Sequence, residues 1–193
     1  MTSREDILTK IRSNIPTSTI ELPNTNIKHM QYKDKNEQFA HSLKSVGGNA
    51  HWLKDESIDD FIKNNYKNAK VIVSTCKEVT CTSKEQENID DPHKLADVDL
   101  AVVRGKFAVA ENGAVWVNEE NLRNRSLYFL ALQLIIVINK EDIVDTMHEA
   151  YKKVDFKDNG YGLFISGPSK TADIEQALVI GAHGPTAACV LLV

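Results

Sequence analysis

Short apolar runs bounded by turn-forming residues occur at four places along the chain. They are residues 71–74, 134–138, 162–166 and 189–193, and each is rich in aliphatic side chains. Apolar runs of this length between turn signals are typical of strands buried in a sheet. We therefore predict that these four segments are neighbouring buried strands of one mixed sheet.

Apolar residues at helical spacing predict four helices around these strands. The first begins with an N-cap pattern at Ser3, and the second spans 39–46 before a Gly-Gly pair. The third begins at Ser57, and the fourth spans 142–154. Cap residues and a glycine pair are common helix start and stop signals. Helices that alternate with strands in this way indicate a layered α/β fold.

Three further β-rich pieces follow one another closely in the middle of the chain. They are residues 100–103, 107–110 and 114–117, separated by an Arg-Gly and an Asn-Gly pair. Parallel strands need a crossover of a dozen or more residues, so connections this short predict antiparallel turns. The fold class expected from the pattern is therefore α/β with a mixed sheet.

Composition and charge exclude several function classes. The 193 residues carry a formal charge of -4, with Lys and Arg scattered along the chain. A nucleic-acid binder needs a basic patch, so we expect no nucleic-acid partner. The first residues lack the apolar stretch of a secretory signal, and the longest apolar run, 130–138, is too short to span a bilayer. We expect a cytoplasmic protein without a membrane span.

The three cysteines give no metal-binding pattern. Cys76, Cys81 and Cys189 lack the paired Cys-x-x-Cys spacing of zinc and iron-sulfur sites. Ordinary reduced thiols are the favoured interpretation, and a disulfide between Cys76 and Cys81 would need a favourable turn.

A small-residue loop follows the predicted strand 162–165. It begins at Ser166-Gly167, and either Ser169 or Thr171 is suited to cap a following helix. The N–H groups of a helix N-terminus favour a carboxylate or phosphate, and Lys170 adds a positive charge. The alternative is a capped helix with a tight turn and no ligand, since the glycine spacing is not that of a nucleotide-binding phosphate loop.

A second loop, Gly-Ala-His-Gly-Pro at 181–185, precedes the last strand. Its His183 is a candidate general acid or base near neutral pH, or a structural residue that bonds nearby backbone. A metal site is less favoured, because Asp173 and Glu175 lie two apart and so point to different faces of a helix.

Glu111 lies between two strongly apolar segments, in front of Asn112-Gly113. An Asn-Gly pair between apolar runs is a strong hairpin signal. The Glu111 carboxylate therefore either faces water at a hairpin tip or points into a cleft.

Together these motifs resemble the LUD, or lactate-utilization, domain family, in particular its lactate-utilization protein C type. The resemblance is carried by residues 167–176 (Gly-Pro-Ser-Lys-Thr-Ala-Asp-Ile-Glu-Gln), by residues 181–185 and by the middle segment 97–117. It covers residues 35–193, which we take as the LUD domain. Residues 1–34 form a separate N-terminal helix and surface segment.

The resemblance implies a three-layer α/β/α fold with a mixed sheet, similar to that of ribose-phosphate isomerases and CoA transferases. It implies a subunit, for small-carboxylate binding or assembly, of a system that oxidises L-lactate to pyruvate. Iron-sulfur clusters would then lie in partner subunits, and this chain would hold no cofactor and have no catalysis of its own. The ligand-binding candidates are Ser166, Gly167, Ser169, Lys170, Thr171, Asp173 and Glu175. The catalytic candidates are Glu111 and His183.

A rival interpretation comes from the same fold. Residues 111–113, Glu-Asn-Gly, are similar to the triplet in which a CoA transferase glutamate attacks a thioester. In this alternative Glu111 is the nucleophile of an acyl transfer.

Overall fold

The computed structural model describes residues 3–15, 23, 30–120, 122–155, 160–171 and 179–193. Within these ranges the helices are α1 (Ser3–Asn14), α2 (Lys35–Ser45), α3 (Ile58–Asn65), α4 (Leu127–Leu130) and α5 (Met147–Lys153). The strands are β1 (Asn49–Trp52), β2 (Ile72–Ser74), β3 (Leu100–Arg104), β4 (Phe107–Val109), β5 (Ala114–Asn118), β6 (Gln133–Ile138), β7 (Ile143–Val144), β8 (Gly162–Ile165) and β9 (Ala187–Leu192). Short 3-10 turns lie at Gln86–Asn88, Pro92–Leu95 and Lys140–Asp142.

Five strands form a fully parallel sheet in the order β1-β9-β6-β3-β2. Nearly every residue of its central strands β3, β6 and β9 is buried. Strands that are covered on both faces have continuous apolar sequences. For this reason the hydrophobic pattern of the sequence predicted β2, β6 and β9. The prediction that 71–74, 134–138 and 189–193 are buried strands of one sheet is confirmed, but that sheet is parallel rather than mixed, and β3 lies between β2 and β6.

A second, four-stranded sheet has the order β7-β4-β5-β8. Strands β4 and β5 form an antiparallel hairpin, β8 pairs antiparallel with β5, and β7 pairs parallel with β4. The molecule is therefore an α/β protein with one parallel and one mixed sheet. The antiparallel turn predicted at Asn112-Gly113 is confirmed.

The prediction that residues 162–166 join the same sheet as the other apolar runs is wrong. Strand β8 lies in the second sheet, and all four of its residues are only partly buried. Gly162 pairs with Asn118, and a Cβ at Gly162 would collide with the indole of Trp116. The glycine thus fits β8 against β5, a pairing that apolar content alone does not encode.

The antiparallel turn predicted between residues 100–103 and 107–110 is also wrong. The two strands do not pair, because β3 belongs to the parallel sheet and β4 to the mixed one. At the junction, a Cβ on Gly105 would lie 2.6 Å from Val115 and 3.0 Å from Ile136. Gly105 is therefore where the chain passes between two closely packed sheets.

The two sheets and the helices packed on them build the core in layers. The main core lies between the sheets, where Val103 and Ile136 from the parallel sheet meet Val115 from the mixed one, together with Leu43 of α2. Helix α3 covers the other face of the parallel sheet. The outer face of the mixed sheet, around Trp116, packs against α5.

The predicted helices are partly confirmed. Helices α1, α2 and α3 form where the spacing predicted them, and Ser57 caps α3 by accepting from the Asp60 N–H at 3.1 Å. The helix predicted over 142–154 is shorter, because buried Ile143–Val144 pair with β4 before α5 begins. Edge strand β1 was missed because its sequence mixes polar and apolar residues.

Asp99 makes stability depend on pH at the start of β2. Its Oδ2 accepts hydrogen bonds from the N–H groups of Val71 at 2.9 Å and Lys70 at 2.7 Å, and these bonds lower the pKa of Asp99. A lowered carboxyl pKa contributes stability above the ordinary pKa of aspartate, and this contribution is lost as the pH falls through the folded-state value.

We therefore expect Asp99→Asn to be destabilising at pH 7 and much less so near pH 3. Urea unfolding across this pH range tests the expectation. Asp55→Asn, at an exposed position, is the control. A difference between wild type and Asp99→Asn that stays constant with pH would contradict it.

Candidate ligand-binding site

A cavity of about 280 Å³ lies beside the open edge of β8. Its polar side is built by two loops, 166–170 and 183–185, which come together although they are separated in sequence. Its other side is apolar. The apolar side chains that line it include Tyr128, Phe129, Leu134, Leu163 and Ile165. Of the candidates predicted from the sequence, Ser166, Gly167, Ser169, Lys170 and His183 line this cavity.

The loop after β8 is seated on the C-terminal end of α2. Gly167 has φ +74°, and a Cβ there would lie 2.8 Å from the Val46 carbonyl oxygen. Only glycine adopts this left-handed conformation without strain. The Lys170 ammonium also donates a hydrogen bond to the Val46 carbonyl. Both contacts fix the path of the loop and hold Lys170 beside the cavity.

Residues 169–171 pair with residues 179–181. Lys170 and Ile180 form an antiparallel bridge, the Thr171 N–H donates to the Val179 carbonyl at 3.0 Å, and the Ser169 N–H donates to the Pro185 carbonyl at 2.9 Å. The backbone donors at 169 and 171, which the helix-start interpretation would offer to an anion, are thus engaged. An anion at this loop would therefore have to be bound mainly by side chains.

The predicted helix that follows lies outside the described residues, and so do Asp173 and Glu175. The proposed roles of Asp173 and Glu175 stay predictions.

His183 lies close to the point where the two loops meet at the cavity. It is exposed, and it lines the cavity next to Gly184. A Cβ on Gly184 would lie 2.9 Å from Ser169 Cβ and 3.1 Å from Ser169 Oγ, so the loops touch at this point. His183 also borders a second, open depression of about 580 Å³ with Phe129 and Leu132. The imidazole is therefore accessible to a ligand from either side.

Glu111 stands at the hairpin tip, outside the residues that line the cavity. Its side chain is exposed, and its Oε2 accepts the Met147 N–H at 2.9 Å. The hairpin tip contacts the cavity loop through Asn112, the residue after Glu111. Ser166 Oγ donates to the Asn112 carbonyl at 2.8 Å. Glu111 is thus joined to the loop but does not face the same space.

The apolar wall is the part of the site that sequence reasoning missed. Tyr128 and Leu134 are 3% and 1% exposed, and Leu163 and Ile165 of β8 pack against the same core. The Tyr128 hydroxyl donates to the Asn118 carbonyl at 2.7 Å, and burial raises the pKa of Tyr128, so the phenol stays protonated. Each of these residues looks like an ordinary core residue in the sequence, and only the folded chain groups them.

The described residues contain no group of three His, Cys, Asp or Glu side chains placed to hold a metal ion. Cys76, Cys81 and Cys189 are free thiols. Burial raises the pKa of Cys81 and of Cys189 to about 11, so both are protonated at neutral pH. Within the described part of the chain, no helix has the length and apolar character required to cross a membrane.

The fold has a solved counterpart. The crystal structure of a DUF162 family protein from Deinococcus radiodurans superposes with a TM-score of 0.66 at 15% sequence identity. The match covers 85% of this chain and 99% of that chain. The two sheets and their helices therefore form an architecture already known from a solved structure.

Sequence comparison gives the family. The LUD domain matches residues 77–193, which include both cavity loops and the Glu111 tip. The chain belongs to the LUD domain family, and the resemblance drawn from the motifs is confirmed. The boundary predicted at residue 35 stays a prediction, because the match begins at residue 77.

Curated relatives carry the name lactate utilization protein C. The protein from Bacillus pumilus (strain SAFR-032) is 36% identical over 117 residues, covering 58% of this chain and 48% of the relative. The protein from Halalkalibacterium halodurans is 35% identical over 106 residues, covering 52% of this chain and 46% of the relative. The chain spans about half the length of the curated relatives it matches.

Proposed function

We propose that this chain serves in lactate utilization as a subunit that binds a small carboxylate in the cavity beside β8. The oxidation of the acid belongs to iron-sulfur partner subunits, and the complex works in the cytoplasm. The observation that carries the proposal is the grouping of Ser169, Lys170 and His183 around one cavity of about 280 Å³. The names of the relatives support lactate utilization as the context.

The chemistry of the cavity mouth suits a carboxylate. An ammonium has three donors, and the hydrogen bond to Val46 uses one of those of Lys170. The Ser169 hydroxyl and the His183 imidazole add neutral donors, and a protonated His183 adds a second positive charge. A negatively charged head group is therefore matched by side chains rather than by a helix N-terminus.

The cysteine pattern supports an electron acceptor in another subunit. The three cysteines lack cluster spacing, and the chain has no dinucleotide fingerprint. We expect the purified chain to bind the acid without oxidising it.

Acyl transfer by Glu111 is the rival function. It would require the carboxylate to attack a thioester carbonyl, form a mixed anhydride and release the CoA thiolate. The Glu111 carboxylate already accepts the Met147 N–H, and Glu111 does not line the cavity. These observations favour a positioning role of the hairpin tip over a nucleophilic one.

Titration of the ¹⁵N-labelled chain with L-lactate, pyruvate and phosphate tests the proposal by NMR. We expect saturable shifts of the amide signals of Gly167, Ser169 and His183. Lys170→Met should weaken binding by about tenfold or more, because a hydrogen bond to a charged group contributes about 1.5–3 kcal/mol. Lys140→Met is the matched control, since Lys140 lies at the opposite end of β9, where its N–H donates to the Val193 carbonyl.

Three results would contradict the proposal. Amide signals that do not move would reduce the loops to structural turns. Turnover of lactate by the chain alone with an artificial electron acceptor would refute the need for partners. A covalent adduct from an acyl-CoA, seen by intact mass on the wild type and lost in Glu111→Gln, would establish the rival function.

A further inference from the structure

We propose that the cavity beside β8 takes organic acids with an apolar tail, and that it binds them more tightly than lactate. The acid group lies at the polar loops and the tail lies against the apolar wall. This inference rests on the proposed function, because it assigns a ligand class to the same site. It follows from the division of the cavity into one polar end and one apolar side.

The polarity of the cavity is one-sided. Ser169, Lys170 and His183 all belong to the two loops. The opposite wall contains Tyr128 and Leu134, and the one polar atom of those two side chains, the Tyr128 hydroxyl, is used by the Asn118 carbonyl. Tyr128 and Leu134 are almost fully buried, so they close the wall from behind without a free donor, and the carbon surface open to a ligand comes from Phe129, Leu163 and Ile165.

Strand β8 extends this apolar surface. Side chains alternate along a strand, so Leu163 and Ile165 point to the same face while Phe164 points to the other. Leu163 and Ile165 pack against the main core, whereas Phe164, which also borders the cavity, packs with the aromatic group around Trp116. The face of β8 that carries Leu163 and Ile165 is thus the aliphatic one, and it leads away from Ser166 at the polar end.

The size of the cavity exceeds the needs of lactate. A volume of about 280 Å³ corresponds to roughly nine waters at about 30 Å³ each. Lactate brings a single methyl group to the apolar wall and leaves most of that wall in contact with water. A longer aliphatic tail would displace this water, and each methylene that becomes buried strengthens binding about fourfold.

Isothermal titration calorimetry on the full chain with L-lactate, 2-hydroxybutanoate and 2-hydroxyhexanoate tests the inference. These acids share one head group and differ only in tail length. We expect Kd to fall by about fourfold for each methylene that becomes buried, and by about 50-fold from lactate to 2-hydroxyhexanoate.

Two variants connect this gain to the wall. Leu163→Phe fills the tail space and should remove most of the gain with chain length while lactate still binds. Leu132→Phe is the matched control, because Leu132 is exposed and lines the second depression rather than this cavity.

The outcomes separate this inference from the proposed function. If lactate binds and the longer acids bind equally or more weakly, the tail inference fails and the proposed function stands. If none of the acids binds, both fail. If Leu163→Phe does not fold, the wild-type series alone decides between these results.

Discussion

Replacement of Gly113 by alanine is expected to lower the free energy of unfolding by about 3 kcal/mol. Gly113 has φ +68°, and a Cβ there would lie 2.6 Å from both the N and the Cα of Leu43. The left-handed conformation costs a residue with a side chain about 1–2 kcal/mol. Overpacking against the backbone of α2 adds about 1–3 kcal/mol, because a helix backbone does not yield as a side chain does.

Urea unfolding of wild type and variant measures this effect. Gly160→Ala is the control, because among the described residues a Cβ at Gly160 would meet only the flexible end of Glu119, at 3.5 Å. The control should change the unfolding free energy by no more than about 0.5 kcal/mol. Equal effects of the two substitutions would mean that the hairpin tip does not need its close approach to α2.

The hairpin tip also affects the candidate site, because it contacts both α2 and the cavity loop. Ser42 Oγ of α2 donates to the Ala110 carbonyl at 2.7 Å, and Ser166 Oγ donates to the Asn112 carbonyl at 2.8 Å. The hairpin tip therefore lies between α2 and the cavity loop and holds both. Displacing it should move the loop as well as destabilise the fold.

Buried strands of the parallel sheet could be predicted from the sequence because burial on both faces leaves a plain signal, whereas the sheet itself was expected to be mixed. Residues 134–138 are apolar without interruption, and all of them are buried. The choice of sheet for β8 could not be predicted, because it depends on the contact between Gly162 and Trp116 across two strands. A contact of that kind has no signal in the local sequence.

The candidate site could also be predicted only in part from the sequence. The small-residue motifs drew attention to Ser169, Lys170 and His183, because loops rich in glycine and proline stand out in a sequence, and the fold brings these residues to one cavity. The pattern could not reveal that Glu111 stays outside that cavity. Nor could it reveal the apolar wall, since Tyr128 and Leu134 look like ordinary core residues. Polar motifs mark a site locally, whereas its apolar surface is assembled by the fold.

The substitution Gly184→Ala is expected to weaken acid binding by at least tenfold, about 1.4 kcal/mol, with only a small loss of stability. The new Cβ would lie 2.9 Å from Ser169 Cβ, so the loop that carries Ser169 and Lys170 must move away from His183. A ligand held by these three side chains would then lose part of its contacts. Titration with L-lactate and 2-hydroxyhexanoate measures the loss.

Ala182→Val is the matched control, because it adds carbon to an exposed position in the same turn, on the side of the second depression. It should leave acid binding unchanged. Adding Ser169→Gly to Gly184→Ala removes the atom that the new methyl group strikes, so the double variant should bind better than additivity of the single changes allows. Strictly additive losses would show that the contact between the two loops does not control the cavity, and that Gly184→Ala acts elsewhere.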